Sequence, residues 1–311
     1  MSTIVITGGT GLTGKAITHE LLKMGYQVIV LTRKLPEIKV QNNLRYALWD
    51  IKKQIIDISA IGEADYIIHL AGAGVVEKKW TAAYKAEILN SRTQSSRLLV
   101  DTLKHNANKV KALISASAIG WYGADAIDGN TRPGGFTETD SPDTFFLGET
   151  CRLWEESINP IINLGKRLVK YRLGIVLSNE GGALAEFKKP LRFRIAAILG
   201  NGKQIVSWVH IDDLVKMFIT AIENETLNGV YNAVAPDPIT NKKLTVSLAT
   251  AMWNRFFIPL HVPVFILKLI MGQRSIEVLK STRVSCQKLL GTGFTFTYPN
   301  IEKAIAALIS G

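Results

Sequence analysis

A glycine-rich turn near the N-terminus constrains the fold more than any other part of the sequence. The apolar run Ile4–Thr7 predicts a buried strand, and Gly8-Gly-Thr-Gly-Leu-Thr-Gly14 follows it directly and opens a helical pattern. In this context Gly8 permits a tight turn, Gly11 a close backbone approach to a pyrophosphate, and Gly14 close packing of helix on strand. The helix N-terminus adds unpaired N–H groups for phosphate. The turn predicts a dinucleotide site, with a glycine-rich turn that binds no ligand as the alternative.

Apolar runs alternate with helical patterns along the chain. The runs are near-continuously apolar, as expected for strands buried on both faces of a covered parallel sheet. Predicted strands are Ile4–Thr7, Gln27–Leu31, Tyr66–Leu70, Lys111–Ser115 and Tyr171–Leu177, and predicted helices are Gly14–Met24, Lys79–Asn106, Leu147–Leu164 and Asp212–Asn224. Alternating β and α elements imply right-handed crossovers. The sequence therefore predicts an α/β fold, a Rossmann doubly wound parallel sheet with a smaller, mostly helical C-terminal lobe.

The pattern also divides the chain. Residues 1–235 are predicted to form the Rossmann domain, with a substrate-loop insertion around 181–205, and residues 236–311 the small lobe, with a strand-like run at Phe294–Tyr298. Because ligands of open α/β sheets bind at the carboxyl ends of the strands, we expect the lobe to cover that edge. The apolar segment Phe256–Gly272 falls short of the roughly 20 residues that cross a bilayer. We interpret it as a buried turn plus a core helix, with an interfacial membrane helix as the alternative.

Composition and charge exclude several classes of protein. With 47% hydrophobic and 20% charged residues the chain is ordinary for a globular protein, and its two cysteines have neither disulfide-scaffold nor metal-site spacing. A net charge of +11 favours anionic ligands, but only Lys188, Lys189, Arg192 and Arg194 form a tight basic group. We expect a small-molecule substrate, no specific nucleic-acid partner, no membrane partner and no metal. No leader pattern is visible, which favours a cytoplasmic location.

The end of the second strand indicates which dinucleotide is bound. Proteins that bind NAD usually place a carboxylate there, whereas this chain has Thr32-Arg33-Lys34. A guanidinium fork and an ammonium group suit a 2′-phosphate, so the sequence predicts NADP (NADPH), with a solvated basic pair as the alternative. Asp50 is expected at the adenine edge. The small residues in His69-Leu-Ala-Gly-Ala73, at the end of the predicted strand Tyr66–Leu70, are expected at a ribose or the nicotinamide. The expected cofactor contacts are Gly8, Thr10, Gly11, Leu12, Gly14, Arg33, Lys34, Asp50, Leu70, Ala71, Gly72 and Ala73.

Several motifs together resemble a known family. They are Thr7–Gly14, His69–Ala73 followed by Lys79-Trp80, Ser91-Arg92, Ser115-Ala-Ser-Ala-Ile-Gly-Trp-Tyr-Gly123, Trp154-Glu155, Gly181–Leu184, Ser207–Asp213 and Gly291–Pro299. The chain resembles the extended short-chain dehydrogenase/reductase superfamily. It is more closely similar to the epimerase-like proteins described as predicted nucleoside-diphosphate-sugar epimerases, which carry a small C-terminal domain of unknown function. The resemblance covers almost the whole chain.

The resemblance implies a Ser/Tyr/Lys catalytic group that this sequence carries only in part. The Ser position matches Ser117. On the following helix, the Tyr and Lys positions hold Leu147 and Cys151 in one register, or Phe146 and Thr150 in the other. Leu or Phe has no exchangeable proton, and Cys or Thr has no positive charge to lower a phenol pKa. The superfamily's usual proton transfer is therefore not available from these positions.

Three interpretations of this departure remain. Another group could carry the proton, with Tyr122 preferred over Glu149 and Cys151, although a structural aromatic explains Tyr122 equally well. The substrate could supply its own acid while Ser117 positions its oxygen. The chain could instead be a non-catalytic NADP-responsive sensor or scaffold. We expect an NADP(H)-dependent oxidoreductase or epimerase-like enzyme acting on a small polar, optionally phosphate-bearing metabolite, and the resemblance implies a homodimer as one assembly.

Structural roles are weighed against functional ones for further residues. Lys85 and Arg92 lie on the helix after the third predicted strand, where surface salt bridges are the default and a place in the ligand crevice the alternative. Arg172, near the start of a buried strand, is expected to pair with a carboxylate. His210 is a weak catalytic candidate, and a structural role is preferred for it.

Overall fold

The computed structural model describes residues 2–36, 42–125 and 134–310. The strands are β1 (Thr3–Thr7), β2 (Gln27–Thr32), β3 (Leu44–Asp50), β4 (Ile55–Ile56), β5 (Tyr66–His69), β6 (Ala112–Ala118), β7 (Arg167–Leu173), β8 (Ile175–Ser178), β9 (Gly181–Gly182), β10 (Ile195–Leu199), β11 (Ile205–Val206), β12 (Trp208–His210), β13 (Gly229–Ala233), β14 (Ile239–Thr240) and β15 (Ile258–Val262). The α-helices are α1 (Leu12–Lys23), α2 (Ile58–Glu63), α3 (Ala82–His105), α4 (Phe146–Ile158), α5 (Ala183–Leu191), α6 (Ile211–Glu223), α7 (Asn241–Trp253), α8 (Val264–Met271), α9 (Ser275–Leu279), α10 (Gln287–Leu290) and α11 (Ile301–Ser310).

An eight-stranded sheet in the order β13-β7-β6-β5-β1-β2-β3-β4 forms the centre of the fold. All neighbours pair in parallel except β4, which runs antiparallel to β3. The chain moves outward from β1 to β3 and then crosses to β5 on the other side of β1. The predicted doubly wound sheet is confirmed, and its topological switch point lies between β1 and β5, where ligands of such sheets bind.

Apolar side chains cover both faces of this sheet. Along β1, Ile4 and Ile6 belong to one buried cluster, together with residues of α1 and α6. Val5 points to the opposite face and belongs to a second cluster, together with residues of α2 and α3. This double burial is why β1 is continuously apolar instead of alternating with polar residues.

The predicted strand Tyr171–Leu177 is wrong in its extent. β7 runs from Arg167 to Leu173 in the central sheet, and the chain then leaves that sheet to form β8, which pairs with β12. The break falls at Gly174, where a Cβ would lie 2.7 Å from the carbonyl oxygen of Ser207. Only glycine allows the two segments to approach so closely, so one apolar run supplies two strands in two sheets.

The apolar core of the smaller lobe contains residues from two segments that the sequence analysis placed in different domains. Leu184 and Leu191 of α5 pack in one buried cluster with Leu244 of α7 and Ile305 of α11. The insertion around 181–205 and the chain after residue 235 therefore share one apolar core. The strand-like run Phe294–Tyr298 is not a strand, because the amides of Thr297 and Tyr298 instead donate to the buried carboxylate of Asp213 on α6.

The interpretation of Phe256–Gly272 as a buried turn and core helix is also wrong. In the part of the chain that the structure describes, β15 pairs with β10 alone, and its first four residues are exposed. On α8, Leu267 is buried while Phe265 is 69% and Leu269 83% exposed. Apolar composition alone could not indicate that the helix turns this side toward solvent. Among the described residues, no helix combines the length and apolarity that crossing a bilayer requires.

A neutral histidine lies at the switch point. His69, at the end of β5, is completely buried, with its Nδ1 2.7 Å from the Thr7 hydroxyl and its Nε2 3.2 Å from the Ser96 hydroxyl. Burial lowers its pKa to about 3. The Thr7 hydroxyl also accepts from the amides of Leu70 and Ala71, so this histidine helps to hold the loop after β5 against β1.

Acidification should destabilise the chain through His69. In the unfolded chain this histidine takes up a proton near its ordinary pKa of 6.5, whereas in the fold it stays neutral down to about 3. The unfolded state binds more protons between these values, so this group lowers the free energy of unfolding as pH falls through that window, by at most about 1.4 kcal/mol per pH unit. Urea denaturation at about pH 7 and about pH 5 measures the loss. His69→Gln should lose less over this interval than wild type, and equal losses would contradict the assignment.

Candidate functional site

The glycine turn between β1 and α1 shows which of its glycines the fold requires. Gly8 has φ +70°, and a Cβ there would lie 2.9 Å from the carbonyl carbon of Leu70. A Cβ on Gly14 would overlap the Gly8 carbonyl oxygen. At Gly11, by contrast, a Cβ would meet only that oxygen at 3.3 Å. Gly8 and Gly14 are therefore needed for the turn and the helix packing, whereas Gly11 faces open space where a ligand can approach.

The N-terminus of α1 is open to an anion. Gly11 is its N-cap, no side chain caps the first amides, and no acidic residue occupies the first turn. Such a terminus offers several N–H donors and a partial positive charge. The smaller lobe reaches this place, because a Cβ on Gly182 would lie 3.0 Å from Cδ2 of Leu12. The exposed Thr10 and the half-buried Leu12 lie within the turn, as expected for its rim.

Two cations follow β2 at the same edge of the sheet. Arg33 and Lys34 are both exposed. Within the described ranges 2–36, 42–125 and 134–310, their side chains take part in no ion pair or hydrogen bond; the one local contact is between Thr32 and the Lys34 backbone. Since β1 and β2 are parallel neighbours, these charges lie beside the glycine turn. Their positive charge is thus available to a ligand.

The remaining predicted cofactor residues lie at the ends of β3 and β5. The carboxylate of Asp50 accepts from the amides of Lys52 and Lys53 at 2.9 and 3.1 Å, which closes a turn and leaves its other oxygen without a hydrogen bond among the described residues. Leu70 and Ala71 are held against β1 through Thr7, as described above. All twelve predicted residues lie at the carboxyl ends of β1, β2, β3 and β5, and their contact with a cofactor stays a prediction.

Ser117 and Tyr122 belong to a buried polar network. The strand register places Ser117 of β6, Arg172 of β7 and Asn232 of β13 side by side. The Ser117 hydroxyl donates to Glu155 of α4 at 2.8 Å, and the Arg172 guanidinium donates to both oxygens of the same carboxylate at 2.8 and 3.2 Å. The Tyr122 hydroxyl donates to Asn232 Oδ1 at 2.7 Å and accepts from Arg172 at 3.0 Å. The expectation that Arg172 pairs with a carboxylate is confirmed.

The burial and hydrogen bonding of the Ser117 and Tyr122 hydroxyls argue against the catalytic roles expected for them. Tyr122 has no exposed surface and Ser117 is 2% exposed. Burial raises the pKa of Tyr122 to about 12, although the neighbouring Arg172 opposes the shift. Each hydroxyl already has its partners inside the protein, so these contacts favour the structural alternative for Tyr122 and make Ser117 a support for Glu155. The network was missed from the sequence, where Glu155 appeared only beside Trp154 in a motif.

The start of α4 supplies no proton carrier at the positions where the resemblance expects one. Thr150 donates its hydroxyl to the carbonyl of Phe146 at 2.7 Å, and burial raises the pKa of Cys151 to about 12. Glu149 is bound by the Arg152 guanidinium at 2.7 Å, which holds the pKa of its carboxyl below the usual value. The helix therefore presents apolar, neutral or already paired groups at these positions.

Other predicted candidates have local partners. Lys188 donates to Asn179, Lys189 pairs with Glu186, and Arg194 lies over the Trp253 ring, so the basic group is not gathered around one ligand position. His210 caps α6 by accepting from the amide of Asp212, and burial lowers its pKa. Across the part of the chain that the structure describes, no group of three or more His, Cys, Asp or Glu side chains is placed to hold a metal.

Comparison with known sequences agrees with this geometry. Residues 4–143 match the sequence model of the NAD dependent epimerase/dehydratase family, and residues 262–308 match a domain of unknown function, DUF1731. An epimerase family protein of Staphylococcus aureus (strain MRSA252) is 35% identical over 311 residues, with 100% of both chains covered. The chain belongs to this epimerase family. The epimerase family protein YfhF of Bacillus subtilis (strain 168) is 32% identical and covers 99% of this chain and 98% of its own.

Solved structures of the epimerase family share the fold. The human epimerase family protein SDR39U1 (isoform 2), determined with NADPH, superposes with a TM-score of 0.84 at 25% identity over 99% of both chains. A nucleoside-diphosphate sugar epimerase from Corynebacterium glutamicum gives 0.77 at 30% identity, over 99% of this chain and 58% of that longer chain. A UDP-N-acetylglucosamine 4-epimerase from Bacillus cereus, at 18% identity and a TM-score of 0.75, shares the architecture.

Two glycine substitutions should separate folding from ligand binding at the turn. Gly14→Ala should lower the melting temperature markedly, because its Cβ has no space beside the Gly8 carbonyl. Gly11→Ala should leave the melting temperature within a few degrees of wild type and should abolish dinucleotide binding, because its Cβ faces the open side of the turn. Thermal denaturation and calorimetric titration measure the two effects. Equal destabilisation by both substitutions would contradict this division of roles.

Tyr122→Phe should act on stability. The change removes a buried hydroxyl and leaves Asn232 Oδ1 without its donor, which should cost about 1–3 kcal/mol of unfolding free energy. Urea denaturation measures the cost, and Tyr46→Phe, at a half-buried tyrosine on β3, is the matched control. A Tyr122→Phe protein with unchanged stability but no turnover would instead support Tyr122 as the acid/base group.

Proposed function

We propose that the chain binds NADP(H) and catalyses a nicotinamide-dependent oxidoreduction or epimerisation of a small polar metabolite. The observation that carries the proposal is the pair Arg33 and Lys34, exposed and without side-chain partners among the described residues, beside an α1 N-terminus that no side chain caps. A guanidinium and an ammonium group at the end of β2 suit a 2′-phosphate.

The residues present fit such a cofactor. Gly11 leaves open space at the turn, which a Cβ would begin to fill, and α1 directs its free N–H groups toward that space. The similarity to a human family member determined with NADPH supports the same choice. When bound, NADP(H) would donate or accept a hydride at its nicotinamide ring.

In this proposal the chain's residues bind and orient. Arg33 and Lys34 neutralise the 2′-phosphate, the amides at the start of α1 hold the pyrophosphate, and the loop after β5 offers small residues, Gly72 and Ala73, to the nicotinamide end. Ser117 and Tyr122 stay in the network around Arg172 and take no part in proton transfer. Their enclosure favours a substrate that supplies its own acid.

A second candidate function is an NADP-responsive sensor or scaffold without catalysis. The start of α4 favours it, because Phe146, Leu147, Thr150 and Cys151 offer no ready proton and no charge at the positions where the superfamily carries both. Steady turnover of any nicotinamide-linked substrate by the purified protein would exclude this candidate.

The proposal also covers the binding partners, the assembly and the cellular location of the chain. We propose a small-molecule substrate, no specific nucleic-acid or membrane partner, and a homodimer of the kind that the superfamily forms. A cytoplasmic location is supported by Cys151 and Cys286, which are both buried free thiols.

Calorimetric titration with NADPH, NADP, NADH and NAD tests the proposal. Arg33→Ala should weaken NADPH binding about 10- to 100-fold, because it removes a charge-assisted contact to the 2′-phosphate, and should leave NADH binding little changed. Arg97→Ala, at an exposed arginine on α3, is the matched control and should change neither affinity. Failure of the wild-type protein to bind any of the four dinucleotides would overturn the proposal.

A further inference from the structure

Two arginines, one buried and one half-buried, lie near the carboxyl edge of the sheet, and they differ in how their charge is balanced. Arg172 is paired with Glu155, as described above. Arg92, in the middle of α3, is half-buried, and burial lowers the pKa of its guanidinium from the usual value. No carboxylate among the described residues forms an ion pair or hydrogen bond with it. Burying a cation without an anionic partner is costly, so its retention calls for an explanation.

The contacts of Arg92 place it at the switch point. Its Nη1 donates to the carbonyls of Ala73 and Ile88, both at 2.9 Å. The guanidinium packs so closely on the loop after β5 that a Cβ on Gly72 would lie 3.0 Å from Cζ. On its other side it lies over the Trp154 ring of α4, 5.0 Å from the centroid. Arg92 is thus held between the loop after β5 and the helix that lacks the expected lysine.

These contacts leave one edge of the guanidinium free. Both bonds to carbonyls use Nη1, and the described residues provide no hydrogen bond to Nε or Nη2. Neither Nε nor Nη2 is fully buried without a hydrogen-bond partner, so this edge of the guanidinium keeps some exposure to solvent. An Nε–Nη2 edge presents two parallel N–H donors, the geometry that binds a carboxylate or a phosphate through two oxygens.

A second cation, Lys85, lies about two turns before Arg92 on α3 and is also without a carboxylate partner among the described residues. Lys85 lies 5.2 Å from the ring centroid of Phe146 and 5.7 Å from that of Trp80, and it forms no ion pair among the described residues. In one of the two alignments described above, Phe146 stands at the position of the missing catalytic tyrosine. The default expectation of surface salt bridges for Lys85 and Arg92 is therefore wrong. Both cations instead lie between aromatic rings of α4 and the loop before α3.

We propose that Arg92 binds an anionic group of the substrate, a carboxylate or a phosphate, through its free Nε–Nη2 edge. This inference rests on the proposed function for the identity of the site and adds the chemical class of its substrate. A neutral sugar or alcohol without an anionic group would leave the cation uncompensated. An anion at this edge neutralises Arg92 next to the backbone of Gly72 and Ala73, and it fixes the orientation of the substrate at the switch point.

The test measures anion binding directly and does not require a known substrate. Oxalate and inorganic phosphate serve as separate probes for the two anion types, titrated calorimetrically into the protein with and without saturating NADPH, since bound NADPH blocks the glycine turn. Arg92→Gln should weaken the binding of the preferred anion about 10- to 100-fold, through the loss of two charge-assisted hydrogen bonds. Arg92→Lys, which keeps the charge and loses the fork, should give an intermediate affinity.

Control variants keep the result interpretable. Arg97→Gln makes the same change five residues further along α3 at an exposed position and should leave anion affinity unchanged. NADPH affinity should stay the same in Arg92→Gln, and melting temperatures show which variants are folded. Because Arg92→Lys retains the cation, it provides a folded comparison if Arg92→Gln is unstable.

Three outcomes overturn the proposal. The first is that neither anion binds the wild-type protein at millimolar concentration. The second is that an anion binds equally well to wild type and Arg92→Gln. The third is that Arg92→Gln loses NADPH affinity together with anion affinity, which would assign Arg92 to the cofactor. Failure of wild type to bind NADPH is a separate result that overturns the proposed function, while anion binding by the free protein would still decide the role of Arg92.

Discussion

The ion pair between Glu155 and Arg172 is the interaction on which the centre of this molecule depends. It joins α4 to β7, the second strand from one edge of the sheet, and both oxygens of the carboxylate accept hydrogen bonds from Arg172. Two charges removed from water are tolerated only when their geometry is good and their remaining hydrogen-bonding groups are satisfied. Ser117, Tyr122 and Lys170, whose Nζ lies 3.4 Å from Glu155 Oε2, supply further interactions, which explains why polar groups occupy the interior of an otherwise apolar sheet.

The same network ties the smaller lobe to the sheet. Asn232, which accepts from Tyr122, also donates to the carbonyl of Ser285 at 3.0 Å, and Tyr122 stacks on Phe136 with centroids 5.1 Å apart. Phe136 in turn pairs with Val284 as an isolated bridge. A disturbance at Arg172 would therefore reach both the end of β6 and the chain that follows α9. The contacts of Tyr122, which the sequence analysis considered as a substitute proton carrier, connect two parts of the fold.

The sequence predicted the parts of the fold whose physical demands are local. Gly8 and Gly14 are required by a turn a few residues long, and the apolar runs of β1, β2 and β5 follow from burial on both faces. β3 was not predicted, because it lies near the sheet edge and mixes buried, half-buried and exposed residues, so that its sequence is not continuously apolar. The exposure of α8 depends on which elements happen to cover it, which hydrophobicity along the chain does not record.

In the candidate site, too, some residues could be predicted from the sequence and others could not. Arg33 and Lys34 were identified because their chemistry and their place after β2 are both visible in the sequence. The roles of Ser117 and Tyr122 depend on Glu155, Arg172 and Asn232, which are distant in sequence and meet only through strand register. The free edge of Arg92 depends likewise on which carbonyls its other nitrogen reaches. Pairings of this kind need the tertiary structure.

The exposed strand β15 carries one more consequence. Among the described residues it is paired on one side only, with β10, and the amide of Ile258 donates to the carbonyl of Arg194, the residue just before that strand. Because strand residues alternate, the next residue, Pro259, turns its nitrogen toward the unpaired side, where it has no hydrogen to offer. An apolar strand open to solvent is a template on which another chain can add. The proline interrupts that template, and a proline on an edge strand is one of the features by which natural proteins disfavour pairing of that edge with another chain.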